Sequence, residues 1–339
     1  MSAQCLQAEE PEAPTLLELL SRSRRSHGAP VGTEQALIKA LVPEAADRAQ
    51  PGVAFLSAIG DGLIAAGDDQ QAGWFRCDPC TLHADRDRLI LFDASSLAIQ
   101  ADESEALVDA LNAMFAEDGM RFCAPHPERW YLHWPQAVEL STHPMDEVVS
   151  RPVDDYLPAG SGARDWQRLL SEIQMLLHGH PVNERRMNQG AHCINSLWLW
   201  GEGDAMNFEG LTPAFQRVIS DDPVAVGAAK ALGIEVASVS EAKDLISAVS
   251  SLNGCLLHLN DAREGALHGD AVVWRTAVEA MEQRWFMPIR QAIEQGSMGS
   301  VEIHDGQGRA WRVEGPQSLF SRLRRLLPGA SPSFRDFLS

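Results

Sequence analysis

Between residues 194 and 313 the sequence alternates short apolar segments with longer amphipathic segments, and this alternation constrains the fold more than any other feature. The apolar segments predict strands and the amphipathic segments predict helices. Strands that alternate with helices form mostly parallel sheets with both faces covered, so we predict an α/β fold. The predicted strands are 194–200, 216–220, 234–238, 255–259, 301–304 and 310–313, and the predicted helices are 223–232, 241–252, 270–295 and 317–327.

The first half of the chain is less regular. An apolar run at 53–59 predicts a buried strand that ends in a turn at Asp61 and Gly62. Short strands are predicted at 88–92 and 129–134. Helices are predicted from Leu16 to about 24–28, over 102–118 with Asp102 or Ser104 as cap, and from 166 with an apolar stripe. We divide the chain into a disordered acidic tail (1–14), an N-terminal part of the core (15–75), an inserted α+β region (76–165) and the main α/β core (166–339).

The charge balance excludes some partners. The chain has 28 Lys and Arg and 47 Asp and Glu, a net charge of −19. Affinity for nucleic acid or an anionic membrane comes from clustered basic residues, so we expect neither as a partner. We find no apolar run of about 18 residues and no secretory signal, and the six cysteines are sparse. These features favour a cytoplasmic location without a disulfide framework.

The predicted topology marks candidate binding positions. In parallel α/β sheets, ligands bind outside the carboxyl ends of the strands. Three such places carry glycines or chemically active residues: Gly201 to Gly203, Asp221 with Asp222, and the stretch that contains His258, Asp261, His268 and Asp270.

The segment 180–201, HPVNERRMNQGAHCINSLWLWG, carries a long motif. It resembles a motif of the archaeal-type cofactor-independent phosphoglycerate mutases, a branch of the alkaline phosphatase superfamily. The segment 224–236 is similar to the same family's helix and strand after its Gly-x-Gly loop. The resemblance implies a three-layer sandwich of the alkaline phosphatase type with a smaller α+β insertion, and a site of two divalent metals with a Ser or Thr nucleophile.

A narrower resemblance rests on several short runs: FRCDPCTL at 75–82, WYL at 130–132, LP at 157–158, EIQMLL at 172–177 and the 180–201 segment. Together they resemble the bacterial family named "regulatory protein, RpfE type", which is related to the mutases. This resemblance implies a regulatory role.

The metal ligands of the mutases are not matched in two places. The mutases carry a stretch like Asp-Glu-x-Gly-His after a strand; in that register the Asp position is Arg263 and the His position is Leu267. Arg is a permanent cation and Leu has no lone pair, so neither ligates a metal. The C-terminal Gly-Asp-His-Ser-Thr-Pro segment is absent. A shifted register would use Asp261 and His268, which are weak candidates.

Asp61 is the remaining weak metal candidate. It resembles the mutases' N-terminal Asp-Gly metal motif, but we favour the interpretation of Asp61 and Gly62 as a hairpin or a turn at the end of a strand. The sequence leaves little room after Asp61 for a nucleophile loop before residue 75.

Polar residues of the 180–201 motif have two interpretations. Asn183 and Arg186 could hold an anionic or phosphorylated ligand, together with Asn195 and the Gly201–Gly203 loop. The alternative is architectural: the Asn side chains tie loops and the tryptophans fill the core.

Cys77 and Cys80 have the spacing of a zinc or redox motif. A structural zinc site requires about four ligands, and the sequence has no second C-x-x-C. The alternative is that the two are ordinary buried residues of an extended segment.

Three functions follow. The one we expect is a non-catalytic regulatory protein, a pseudoenzyme descended from a phosphoglycerate-mutase-like enzyme, that acts through a protein partner and needs no cofactor. The second is a metal-dependent phosphoryl-transfer enzyme, a mutase or phosphatase with a rebuilt site, that uses Mn or Mg with Asp61, Asp221, His258, Asp261 or His268. The third is a module that binds a small phosphorylated metabolite around Arg186.

Overall fold

The structure is a computed structural model that describes residues 10–27, 32–43, 52–65, 73–135, 138–202, 211–238, 254–305 and 308–315. The chain divides into two compact units. The first unit contains residues 1–46 and 210–339, and the second contains residues 47–209. The predicted insertion at 76–165 lies within the second unit. The predicted helices 241–252 and 317–327 and the first nine residues lie outside the described residues.

The helices and strands are numbered in chain order. The first unit begins with α1 (Pro14–Ser21), β1 (Arg24–His27) and α2 (Thr33–Leu41). The second unit contains α3 (Val53–Gly60), β2 (Trp74–Asp85), β3 (Arg88–Phe92), α4 (Ala101–Met114), β4 (Arg121–His126), β5 (Arg129–His133), α5 (Met145–Val148), α6 (Ala163–His178), α7 (Pro181–Asn188) and β6 (Ser196–Trp200), with 3-10 turns at Ala94–Leu97 and Asp154–Tyr156. The first unit resumes with β7 (Arg217–Ile219), α8 (Pro223–Ala231), β8 (Glu235–Ala237), β9 (Cys255–Leu257), α9 (Arg263–His268), α10 (Ala271–Met281), a π-helical turn (Glu282–Phe286), α11 (Met287–Gln295), β10 (Ser300–His304) and β11 (Arg309–Glu314).

Strand β2 organises the second unit. It pairs antiparallel with β5 over residues 74–76, with β6 over 76–80 and with β3 over 81–85, and β5 pairs with β4. Helices α4, α6 and α7 contribute to one apolar core with this sheet, and the largest buried side chains include Trp130, Trp166, Phe115 and Phe122. The core fixes the face of the sheet on which each polar side chain of the unit lies.

The first unit contains two small sheets. β8, β7 and β9 pair in parallel in that order, as the alternation predicts, and β1, β11 and β10 pair antiparallel. One apolar cluster lies beside them, formed by Leu19, Ile219, Trp285, Phe286, Ile289, Ala292, Ile293, Met298 and Val313. Among the named strands of the described residues, only β7, β8 and β9 pair in parallel; β6 pairs antiparallel with β2.

Two predictions in the first sixty residues are wrong. The run at 53–59 is helix α3 rather than a strand, and residues 54–59 are all buried. A short run that is apolar on every side has no periodicity that separates a strand from a helix. The first helix ends at Ser21 rather than at 24–28, because residues 24–27 form β1 and pair with β11.

Two helices also differ in detail from the prediction. The helix predicted at 102–118 is α4, and its cap is Gln100 in a reciprocal capping box with Glu103. The helix predicted at 270–295 is interrupted by the π-helical turn at Glu282–Phe286. A π-turn adds one residue to a helical turn, and a 3.6-residue pattern does not reveal it. No helix among the described residues has the length and apolar character that a membrane span requires.

Candidate functional site

The candidate site lies at the carboxyl ends of the parallel strands of the first unit. Ser220 follows β7 directly and His258 follows β9, and the Ser220 Oγ and His258 Nδ1 are hydrogen-bonded at 3.1 Å. The Asp222 N–H also donates to Ser220 Oγ, at 3.0 Å. Burial lowers the pKa of His258, with Arg263 acting in the same direction and Asp222 opposing. The imidazole is therefore neutral at physiological pH.

Both carboxylates after β7 have protein partners. Oδ1 of Asp222 accepts the N–H groups of Val224 and Ala225 as the N-cap of α8, and Oδ2 accepts from the Asn260 side chain at 3.1 Å. Oδ1 of Asp221 accepts from the Ser238 hydroxyl at 2.6 Å. The cap fixes Asp222 in place, because its oxygens satisfy the first N–H groups of the helix.

Arg263 begins helix α9 beside this edge. Its Nη2 lies 3.4 Å from Glu34 Oε1 on α2, so that the guanidinium is paired with a carboxylate. The next helix holds α9 closely: a Cβ at Gly265 would lie 2.3 Å from the Trp274 nitrogen. This contact fixes how closely α9 packs against α10.

The other predicted ligands of this region have separate positions. Asp261 is exposed after β9, His268 is half-buried at the end of α9, and Asp270 caps α10 through Val272 and Val273. Within the described ranges, no three His, Cys, Asp or Glu side chains are grouped so that they could hold one metal ion. With Asp222 engaged by three N–H donors and Arg263 present, these residues do not fit the two-metal site that the resemblance implies.

Asp61 belongs to the second unit, where it ends helix α3. Arg129 contacts both of its carboxylate oxygens, and the Tyr131 hydroxyl donates to Oδ2 at 2.5 Å. Burial raises the pKa of Tyr131, so the hydroxyl is a donor here. An arginine and a tyrosine thus occupy the oxygens that a metal would use.

A second ion pair continues this network into the core. Arg76 and Asp78 on β2 are paired through Nη2 at 2.8 Å, and both are less than a tenth exposed. Asp78 also accepts the Trp130 N–H and the Trp200 indole N–H. Ser57 connects the two pairs, because it contacts both Arg76 and the Tyr131 hydroxyl. Buried charges of this kind require complete pairing, and the network provides it.

Sequence reasoning missed Arg76, Asp78 and Tyr131. A usable signal was present: two charged residues two apart, on the same face of a strand, within the largely apolar run at 74–80.

Asn183 is enclosed in the second unit. Its Nδ2 donates to the carbonyls of Leu177 and Ile194, and its Oδ1 accepts the Ile194 N–H at 2.8 Å. Asn195 makes the same type of tie to the backbone of Leu82, through both its Oδ1 and its Nδ2.

Arg186 is 3% exposed and joins three separate segments. Its guanidinium donates to Glu103 at 2.5 Å and to the carbonyls of His192 and Leu97. The architectural interpretation of Asn183, Arg186 and Asn195 accounts for all of these bonds.

The Gly201 loop is described only in part, because Gly203 lies outside the described residues. Gly201 has a φ of 78°, and its carbonyl accepts the Ala54 N–H at 2.8 Å. The Glu202 carboxylate accepts from the backbone and hydroxyl of Thr142. The described part of the loop therefore joins α3 to the segment before α5.

Cys77 and Cys80 are fully buried on β2. Residues three apart on a strand point to opposite faces, so the two thiols do not converge on one ion. Burial raises the pKa of both thiols.

The comparison of folds shows the class of protein. The PH0037 protein from Pyrococcus horikoshii superimposes with a TM-score of 0.55 at 15% identity, covering 91% of this chain and 81% of that chain. This similarity confirms the α/β fold.

The sequence comparisons then show the relation. A model of the 2,3-bisphosphoglycerate-independent phosphoglycerate mutase family matches residues 45–183. The mutase of that name from Methanosarcina mazei is 28% identical over 261 residues, which are 74% of this chain and 58% of that protein. A probable mutase from Geobacter sulfurreducens is 26% identical over 248 residues, 68% of this chain and 61% of that protein. The chain is related to the cofactor-independent phosphoglycerate mutases, and it spans less than two thirds of the length of these relatives.

Proposed function

We propose that this chain is a non-catalytic regulatory descendant of a phosphoglycerate-mutase-like enzyme, of the RpfE type. The observation that carries the proposal is the arrangement after β7 and β9. Asp222 caps α8 and accepts from Asn260, while Arg263 pairs with Glu34. Hydrogen-bond donors of the protein thereby occupy the carboxylate oxygens of Asp222, and a permanent cation lies beside them.

The electrostatics of Arg263 support the proposal. A guanidinium keeps its charge at every pH of interest, and a cation placed beside a metal site opposes the binding of a second positive ion. Asp61 supports it in the second unit, because Arg129 and Tyr131 already satisfy its two oxygens.

The regulatory part of the proposal rests on the resemblance of several runs to the RpfE-type family, at 75–82, 130–132, 157–158, 172–177 and 180–201. A protein that regulates without turnover acts by contact with another macromolecule, so a protein partner follows. The net charge of −19 favours a partner with a basic face.

The test measures metal binding and turnover with the full chain. We expect equilibrium dialysis to show no stoichiometric Mn²⁺ or Mg²⁺. We also expect no conversion of 3-phosphoglycerate to 2-phosphoglycerate and no hydrolysis of p-nitrophenyl phosphate with either ion. The Methanosarcina mazei mutase, assayed in parallel, provides the positive control.

The alternative, a metal-dependent phosphoryl-transfer enzyme with a rebuilt site, gives the opposite result. It would show metal-dependent turnover that Asp222→Asn or Asp261→Asn abolishes and that Asp154→Asn, an exposed control, leaves intact. That outcome would overturn the proposal.

The regulatory role has its own test. A strain that lacks the chain should show an altered transcript profile, and both the natural chain and Asp261→Asn should restore it, since no catalysis is involved. If only the natural chain restores the transcript profile, the result would instead support catalysis at the carboxyl ends of β7 and β9.

A further inference from the structure

Glu282 is a charged side chain buried at 1% exposure in the π-helical turn between α10 and α11. Its two carboxylate oxygens accept different backbone groups of α1: the Thr15 N–H donates to Oε1 at 2.7 Å and the Leu16 N–H donates to Oε2 at 3.0 Å. Helix α1 has no capping side chain of its own. A carboxylate 267 positions away in the sequence therefore caps the first helix of the chain.

Other contacts of residues 12–19 also hold α1 against α10, the π-turn and α11. The Glu12 N–H donates to Glu279 at 3.1 Å, and Arg290 on α11 pairs with Glu18 at 2.8 Å. Leu19 packs into the apolar cluster with Trp285 and Phe286. These contacts join both ends of α1 to one surface, formed by α10, the π-turn and α11.

The two partners depend on each other. An isolated helix of eight residues is not stable in water, so α1 is helical because it is docked. If α1 undocks, Glu282 loses both N–H donors. A buried charge without partners raises the free energy of the folded state. Helix formation in α1 and the burial of Glu282 are consequently coupled in one transition.

We propose that α1 undocks from and redocks onto the surface of α10, the π-turn and α11 as a unit. The hydrogen bonds to Glu282 hold it in the docked, closed state. We call α1 the latch helix, or latch. In the closed state α1 covers Trp285, Phe286 and Ile289. Opening uncovers that apolar surface, so the latch controls when it is accessible. π-turns inside helices are frequent at functional positions, which fits the location of Glu282. This inference is independent of whether the chain is catalytic.

Hydrogen exchange of the full-length chain, followed by mass spectrometry, tests the latch. In the natural chain we expect peptides that cover 14–21 to exchange faster than peptides of β7 and β9, through a local opening. Glu282→Ala removes both acceptors and should accelerate exchange at 14–21 by about 10- to 100-fold, with little change at β7 and β9.

Two further variants separate the effect of the Glu282 hydrogen bonds from general destabilisation of the chain. Glu279→Ala removes the exposed contact to Glu12 and a pair with Arg275 at 3.9 Å within α10, and it should change exchange at 14–21 by less than about 5-fold. Glu282→Gln keeps one acceptor oxygen and should give an intermediate effect, which secures the test if Glu282→Ala fails to fold. The latch is overturned if 14–21 exchanges only with global unfolding in the natural chain. It is also overturned if the Glu282 variants accelerate β7 and β9 as much as α1.

Discussion

Arg129 holds Asp61 with two parallel hydrogen bonds, Nε to Oδ2 at 2.7 Å and Nη2 to Oδ1 at 2.8 Å. The Asp61 side chain is 11% exposed and that of Arg129 is 26% exposed. Bidentate pairs of this kind fix geometry as well as charge. The pair therefore connects the end of α3 to β5.

Removal of this pair should destabilise the second unit. Asp61→Asn leaves the Arg129 guanidinium without its carboxylate, and we expect a loss of about 2–3 kcal/mol in the free energy of unfolding, below the value for a fully buried pair because Arg129 is partly exposed. Urea denaturation measures it. The control Arg168→Gln breaks an exposed pair with Glu172 and should cost at most about 0.5 kcal/mol. Equal losses in the two variants would contradict the structural role of Asp61.

Gly265→Ala should separate α9 from α10. The added Cβ would meet the backbone of Trp274 at 2.3–2.7 Å, and backbone cannot rotate aside. We expect a loss of at least about 2 kcal/mol and a lower midpoint of thermal unfolding. Gly299→Ala is the control, since nothing lies within 4 Å of its Cβ. A neutral Gly265→Ala variant would mean that the two helices are not in this contact.

Asn183→Asp should be among the most damaging single-atom changes. The new carboxylate would face the carbonyls of Leu177 and Ile194 with no N–H to donate to them. We expect a loss of about 3–5 kcal/mol, measured by chemical denaturation. The exposed Asn188→Asp, on the same helix, should change stability by less than about 0.5 kcal/mol. If Asn183 served a ligand instead, Asn183→Asp would leave stability near the natural value.

Thiol alkylation should follow burial and pH. Burial raises the pKa of Cys255 to about 11, so only about a thousandth of it is thiolate at pH 8 and its labelling should accelerate as pH rises. Cys77 and Cys80 should stay unlabelled until the chain unfolds, with or without a chelator. Peptide mapping of the alkylated sites decides this. Rapid labelling of Cys77 or Cys80 on addition of chelator would instead support a metal at that pair.

The pH dependence of stability should include a contribution from His258. Burial lowers its pKa in the folded chain, so the unfolded chain binds the proton first as pH falls through about 6.5. The folded state then binds fewer protons, and stability decreases with falling pH. His258→Gln should lose less stability than the natural chain between about pH 7.5 and about pH 5.5. An equal slope of stability against pH in His258→Gln and in the natural chain would contradict the prediction.

The amphipathic elements could be read from the sequence. Helix α6 buries Trp166, Leu169, Ile173 and Leu177 as its stripe predicts, and the parallel strands β7, β8 and β9 occur where the alternation places them. Periodicity identifies α6 because one face of the helix is buried and the other is exposed.

Elements without that contrast could not be identified from the sequence. Helix α3 is buried almost throughout, so its apolar run has no period to detect. In α4, Met114 shares the spacing of Leu107 and Leu111, yet Met114 is 43% exposed and the next residue, Phe115, is 2% exposed.

The partners of the charged side chains at the candidate sites could not be predicted from the sequence either. Arg263 could be recognised at an unexpected position from the sequence, but its partner Glu34 lies 229 positions away. Glu282 has the spacing of a core position and the chemistry of a surface one, and only the docking of α1 explains it. Long-range pairing of charges leaves no local signature in a sequence.

The pairing of β2 with three strands has a consequence for synthesis. The second half of β2 pairs with β3 in a hairpin. Its first half can pair with β6 only after about 120 more residues have been synthesised. At ribosomal speeds of about 5–20 residues per second, that delay lasts on the order of 6–24 s, during which Cys77 and Cys80 have no partner strand on that edge. In a nascent chain the first half of β2 thus has an unpaired edge for many seconds.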